Sequence, residues 1–223
     1  MARLYYIGGE DVRKAEKVRI HSEMLRCSAD CNILVFAWSA PPSENSKLWV
    51  DFFRDFFTDL GASGVQFANL ESLSRRILDQ ISDSDLLYFP GGDPRILIDN
   101  IRTKSLVSAI QSFDGIIAGN SAGAMVMARR MIFLRGQDDE PQTSVGEGMS
   151  LSEITVSVHY DAEDRMAAGT NPDEDLFSLS NGYDSDIFAI PELSAVVVDG
   201  GTISNIGEVF IFRNGHRLEF GTV

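Results

Sequence analysis

Basic residues are scarce in this chain. Its 223 residues hold 33 Asp+Glu against 19 Lys+Arg, a formal net charge of −14. Nucleic acids and anionic lipid surfaces are both bound through basic faces, so no nucleic-acid partner and no membrane partner are expected. Long apolar runs are missing as well, and nothing approaches the roughly 20 residues of a membrane-spanning helix. Cysteine is nearly absent. Cys27 and Cys31 fall in one helix-like segment, a poor geometry for a disulfide, and no second Cys or His pair follows at zinc-site spacing, although His21 lies nearby. They read as packing thiols in a reducing compartment. Leu4–Ile7 reads as a first strand rather than the apolar centre of a leader. A cytoplasmic protein with no metal and no organic cofactor is the expectation. With three histidines in all, a general base has few places to be.

What is present is an ordinary globular composition, 44% hydrophobic and 23% charged. There is no repeat, linker or low-complexity tract, so one domain spanning 1–223 is expected. Strand-like runs at Leu4–Ile7, Asn32–Trp38, Gly64–Leu70, Asp85–Phe89 and Gly115–Ala118 alternate with helical patterns at Glu10–Ser28, Ser46–Leu60, Leu73–Ile81 and Ile96–Phe113. That alternation predicts a parallel sheet covered on both faces. Phe52, Phe53, Phe56 and Phe57 recur at helical spacing and read as core. After Ile132 the pattern changes. Glu153–His159 alternates, and short strands at Ala195–Asp199, Thr202–Ser204 and Val209–Phe212 sit between turns, suggesting a C-terminal antiparallel extension of the same sheet.

The chemistry concentrates at Gly119-Asn120-Ser121-Ala122-Gly123-Ala124, between a buried strand and a helix-forming segment. A serine on such a sharp turn has its hydroxyl pushed clear of the backbone, and the flanking glycines remove side chains that would clash. Pro90-Gly91-Gly92-Asp93 leaves another strand at the same edge, where ligands bind in parallel sheets. The N–H groups of Gly92 and Ala122 are therefore expected oxyanion donors. A serine needs a base. His21 sits in an early charged helix and His216 in a late polar hairpin, whereas His159 ends a strand, so His159 is selected by elimination and position. The acid that would orient it stays open among Asp161, Asp164, Glu192 and Asp138-Asp139-Glu140.

Taken together, Gly-Asn-Ser-Ala-Gly-Ala, the upstream Phe-Pro-Gly-Gly-Asp, the downstream His-Tyr-Asp and the late Ala-Ile-Pro-Glu-Leu-Ser-Ala-Val-Val-Val-Asp-Gly-Gly resemble the peptidase E (aspartyl dipeptidase) and cyanophycinase family of serine peptidases. The resemblance implies a three-layer α/β/α sandwich similar to the class I glutamine amidotransferases and flavodoxin-like folds, with serine in place of cysteine. It implies Ser121 as nucleophile, His159 as base, Gly92 and Ala122 as oxyanion donors and Glu192 as first choice of acid, with Asp161 next. The expected activity is hydrolysis of short peptides, possible substrates including Asp-containing dipeptides. The Gly- and Arg-rich stretch that follows the histidine in aspartyl dipeptidases is replaced here by Asp161-Ala162-Glu163-Asp164-Arg165-Met166, with Asp173-Glu174-Asp175 beyond it. Arg165 and Arg95 are the cations nearest in sequence to the expected site, and surface ion pairing is the alternative role for both. Rival readings are a cyanophycinase-like hydrolase of Asp–Arg peptides, an esterase using His216, and a binding protein of the same fold. The resemblance also leaves room for a homodimer.

Overall fold

The computed structural model describes residues 1–10, 18–26, 30–40, 46–136, 140–160, 171–183 and 185–221. The first half runs β1 (Arg3–Ile7), α1 (Val18–Arg26), β2 (Asn32–Val35), α2 (Ser46–Asp59), β3 (Gly64–Phe67), α3 (Ser74–Ser82), β4 (Leu86–Phe89), α4 (Pro94–Thr103), α5 (Val107–Gln111), β5 (Ile116–Asn120) and α6 (Ala122–Met127). There follow β6 (Arg130–Phe133), β7 (Ser144–Glu147), β8 (Thr155–Val158), α7 (Pro172–Gly182), β9 (Ile187–Ile190), β10 (Ala195–Asp199), β11 (Thr202–Ile206), β12 (Phe210–Arg213) and β13 (His216–Glu219). Among the described residues no helix is long and apolar enough to cross a membrane.

A first sheet has the order β11-β10-β1-β5-β4-β2-β3, with β1 to β5 parallel and β10 and β11 antiparallel at one side. Its central strands β1, β5, β4 and β2 are buried over nearly their whole length because both faces are covered. Along β1, Leu4 and Tyr6 enter one core with α3, α4, α5 and α6, while Tyr5 and Ile7 enter another with α1 and α2. This two-residue alternation produces the expected α/β/α layering. Phe53 and Phe57 are fully engaged in the second core and Phe52 and Phe56 partly so, whereas Leu48 and Trp49 on the same helix are exposed.

The later strands correct the expectation of one extended sheet. Only β10 and β11 extend the first; β6 to β9 with β12 and β13 make a second sheet, ordered β13-β12-β9-β8-β6-β7. Within it β8 is parallel to both β6 and β9. The reason is connectivity: α7 lies in the chain between β8 and β9, and a helical crossover returns the chain in the same direction, which a tight hairpin cannot do. Helix α6 lies between the sheets, touching β1, β4 and β5 on one side and β6 and β8 on the other. The largest core cluster accordingly joins Leu4 and Tyr6 to Met131, Val156, Val158 and Ile190. Helix α7 covers the outer face of the second sheet through Leu176. Cys31 is buried beside β2 rather than within a helix, since α1 ends at Arg26; Cys27 lies outside the described residues.

Candidate active site

Because β1, β5 and β4 are neighbours and parallel, their C-terminal ends bring Gly8-Gly9, Ser121 and Gly91-Gly92 to one edge. Ser121 has φ 51° and ψ −110°, outside both helix and strand. Such a conformation persists only where surrounding structure over-determines it. Here the constraint comes from close packing: a Cβ on Gly119 would lie 2.3 Å from the Gly123 carbonyl carbon, and one on Gly123 would lie 1.9 Å from the Phe89 carbonyl oxygen. The Ser121 N–H donates to the Ile7 carbonyl at 2.9 Å, and its own carbonyl accepts from Met125 at 3.0 Å. The turn is thus tied at both ends.

Ser121 Oγ lies 2.7 Å from His159 Nε2. His159 follows β8, has φ 53°, and donates its N–H to the Gly8 carbonyl at 2.9 Å. On the far side of the imidazole, Nδ1 lies 3.2 Å from Glu192 Oε1. A proton on Nδ1, facing the carboxylate, leaves Nε2 as acceptor for the serine hydroxyl. Glu192 stands in the turn after β9, where Leu193 has φ 64° and donates its N–H to the Gly9 carbonyl at 3.0 Å. The His159 side chain is 28% exposed and that of Glu192 44%, so the line of three opens toward solvent at its acidic end.

The turn after β4 is rigid for reasons visible in its composition. Asp93 caps α4 by accepting from the N–H groups of Arg95 and Ile96, and Pro94 takes the first helical position. Gly92 has φ 131°, and a Cβ there would lie 2.5 Å from Ser39 Oγ. The Asp93 N–H donates to the Ser39 carbonyl at 2.7 Å. A Cβ on Gly91 would stand 3.6 Å from the Ser121 Cβ, which places this turn beside the serine. Among the described residues, the N–H groups of Gly92 and Ala122 have no backbone acceptor.

Other residues singled out in the sequence lie elsewhere. His216 is exposed on β13, and His21 is fully buried against Phe56, Phe57 and Tyr88. Arg95 pairs with Glu140 at 2.6 Å and stacks over Phe133, an ion pair of the kind weighed for it above. Asp161, Asp164, Arg165, Asp138 and Asp139 lie outside the described residues. Among those described, no group of three or more His, Cys, Asp and Glu is placed to hold a metal ion. Sequence reasoning passed over Asn120, Glu10 and the close approach of Gly8 and Gly9 to His159. Gly-Gly after β1 was the available signal, since it falls at the same sheet edge as the other two glycine turns.

The sequence profile of Peptidase family S51 matches residues 5–206. The chain belongs to that family. It is a serine-type peptidase, and the S51 resemblance drawn from its motifs holds over nearly its whole length. Among solved structures, a peptidase from an acI-B1 Actinobacterium is similar with a TM-score of 0.73 at 22% identity, covering 100% of this chain and 95% of that one. A candidate peptidase E protein from Listeria monocytogenes EGD-e is similar with a TM-score of 0.66 at 15% identity, covering 92% of this chain and 98% of that one. At those identities the likeness is one of fold. No match is found among curated proteins. This S51 chain therefore shares the mixed α/β architecture of both solved structures over nearly all of its length.

Proposed function

We propose that the chain hydrolyses short peptides by acyl transfer through Ser121, His159 and Glu192. The observation that carries this reading is the continuous line of contacts, 2.7 Å from Ser121 Oγ to His159 Nε2 and 3.2 Å from Nδ1 to Glu192. His159 Nε2 takes the hydroxyl proton as Ser121 Oγ attacks the scissile carbonyl carbon. The N–H groups of Gly92 and Ala122 hold the oxygen as it becomes negative. His159 then gives its proton to the leaving amine, and water resolves the acyl-enzyme by the reverse sequence. Glu192 keeps the imidazole in the tautomer that leaves Nε2 free to accept, and offsets the charge of the imidazolium.

Glu192→Gln is expected to lower kcat by roughly 10- to 100-fold. A buried acid in this role contributes nearer 10⁴-fold. Here the carboxylate is 44% exposed, and solvent screens part of its charge. Steady-state rates of the variant give the number. An unchanged kcat would transfer the orienting role to another carboxylate, Asp161 being the one next weighed.

The reading as a whole is tested by hydrolysis of a dipeptide panel with N-terminal Asp, N-terminal Arg, neutral and β-linked Asp–Arg members, together with fluorophosphonate labelling of the intact chain. Cleavage accompanied by an adduct on Ser121 is expected, and the preferred member assigns the substrate class. Silence across the panel with no adduct on Ser121 would leave a binding protein of the same fold.

A further inference from the structure

Four consecutive residues leaving β1 hold the backbone beside every reacting group. The Ile7 carbonyl accepts from Ser121 N–H, that of Gly8 from His159 N–H, and that of Gly9 from Leu193 N–H, next to Glu192. Gly8 N–H donates to the Ser194 carbonyl at 3.0 Å. Glu10 completes the set: its N–H donates to Asn120 Oδ1 at 3.0 Å, and its carbonyl accepts from Asn120 Nδ2 at 3.1 Å. Asn120 immediately precedes Ser121, so this two-bond clasp fixes the residue before the strained turn. A Cβ on Gly9 would lie 2.3 Å from His159 Cε1, so the same segment also forms the wall behind the imidazole.

The far end of this rail is anchored by a buried polar pair. The Glu10 side chain is 1% exposed and that of His21, on α1, is 0% exposed, with Glu10 Oε2 2.8 Å from His21 Nδ1. Neither atom has a hydrogen-bond partner among the described residues, so the two face each other at ion-pair distance inside the core. His21 Nε2 lies 3.1 Å from the Tyr88 hydroxyl, and the ring packs edge-on against Phe56. Burial, and secondarily the charge of Glu10, push the Tyr88 hydroxyl well above its usual range, so Tyr88 is a neutral partner. A carboxylate removed from water is costly unless paired, and an apolar pair of equal volume would fill this core at less cost. Packing alone therefore gives no reason for an acid here, whereas a fixed backbone at Glu10 does.

We infer that the buried Glu10–His21 pair is a positioning device for the nucleophile. It holds the Glu10 backbone in the Asn120 clasp, and through Asn120 it holds Ser121 in line with His159. The inference rests on Ser121 being the nucleophile, as proposed above.

The test compares wild type, Glu10→Ala, Glu10→Gln and Asn120→Ala in the full chain. Each is assayed well below its own Tm for the rate of fluorophosphonate labelling at Ser121 and for kcat and KM on the best dipeptide. Misplacement of reacting groups by about 1 Å costs on the order of 100-fold. Labelling rate and kcat are thus expected to fall about 10- to 100-fold in Glu10→Ala and Asn120→Ala, with KM within about 3-fold of wild type. Glu10→Gln keeps the side-chain volume and an oxygen facing His21, so it is expected to recover to within about 5-fold of wild type. A purely structural pair would lower Tm and leave the labelling rate of the folded variant unchanged. Labelling of Glu10→Ala within 2-fold of wild type would overturn the inference. If that variant does not fold, wild-type-like labelling of Asn120→Ala would overturn it equally. A wild-type chain that neither labels nor cleaves would instead remove the peptidase reading, and this inference with it.

Discussion

Ser121→Ala is expected to lower kcat by about 10⁴- to 10⁶-fold, the range that loss of a nucleophile produces in enzymes of this kind. In the proposed mechanism the hydroxyl is the atom that becomes bonded to the substrate, so no neighbour replaces it. What survives is whatever the Gly92 and Ala122 N–H groups contribute to direct attack by water. Stability should hardly move. Among the described residues the hydroxyl makes one hydrogen bond, to a partly exposed imidazole, and such a bond contributes about 1 kcal/mol or less. For a chain of this size that corresponds to roughly 2–4 °C in Tm. His159→Ala should be nearly as damaging alone and add little in the Ser121→Ala background, because the two act as a unit. Initial rates and a thermal melt on the same preparations check both halves. Retention of more than about one hundredth of wild-type kcat in Ser121→Ala would sink the acyl-enzyme mechanism.

The largest stability effect is expected at Gly123→Ala, with a loss of about 3 kcal/mol or more and a fall in Tm of roughly 6–12 °C. A methyl group there would stand 1.9 Å from the Phe89 carbonyl oxygen and 2.7 Å from its carbon. Both are backbone atoms of β4, a strand paired with β2 on one side and β5 on the other, so they have no direction in which to yield. Helix α6 has no more room, being enclosed between the two sheets. Gly182→Ala is the control. Nothing lies within 4 Å of a Cβ at that position in α7, and the substitution should stabilise by up to about 1 kcal/mol through helix propensity. Thermal or urea unfolding of the two variants measures the contrast. A Gly123→Ala protein as stable as wild type would mean that α6 and β4 can separate, contrary to the packing described.

Much of this was legible in the sequence because it is encoded locally. A buried run followed by glycine and then a helical pattern marks each parallel strand end, so β1, β4 and β5 and the turns beyond them could be placed from the chain alone. Ser121 was legible for the same reason, and His159 because the other two histidines sit in unsuitable segments. Glu192 was not, since its distance from the imidazole depends on how β9 sits against β8, and no spacing within Ile190-Pro191-Glu192 reports that. It entered through resemblance. The second sheet was misread because its centre is set by a crossover, β8 pairing in parallel with β6 and β9, which no local alternation reports. Glu10 was assigned to a helix on charge pattern, whereas it lies beyond β1 in a buried position outside any helix. Its carboxylate has meaning only once His21 arrives from α1, and its backbone only once Asn120 arrives from β5.

The placement of β1 also governs when the enzyme can exist. Its hydrogen-bonding partners are β5 and β10, both far later in the sequence, so the first strand waits for β10 before it is paired on both edges. Loop closure over such separations is slow and must precede any reward from contact. A growing polypeptide has made Ser121 and His159 well before Leu193 and Ser194 can reach Gly9 and Gly8. Until then the Glu192 carboxylate is not held in register with the imidazole. In the proposed mechanism the newborn chain thus carries an incomplete triad until β10 has been made.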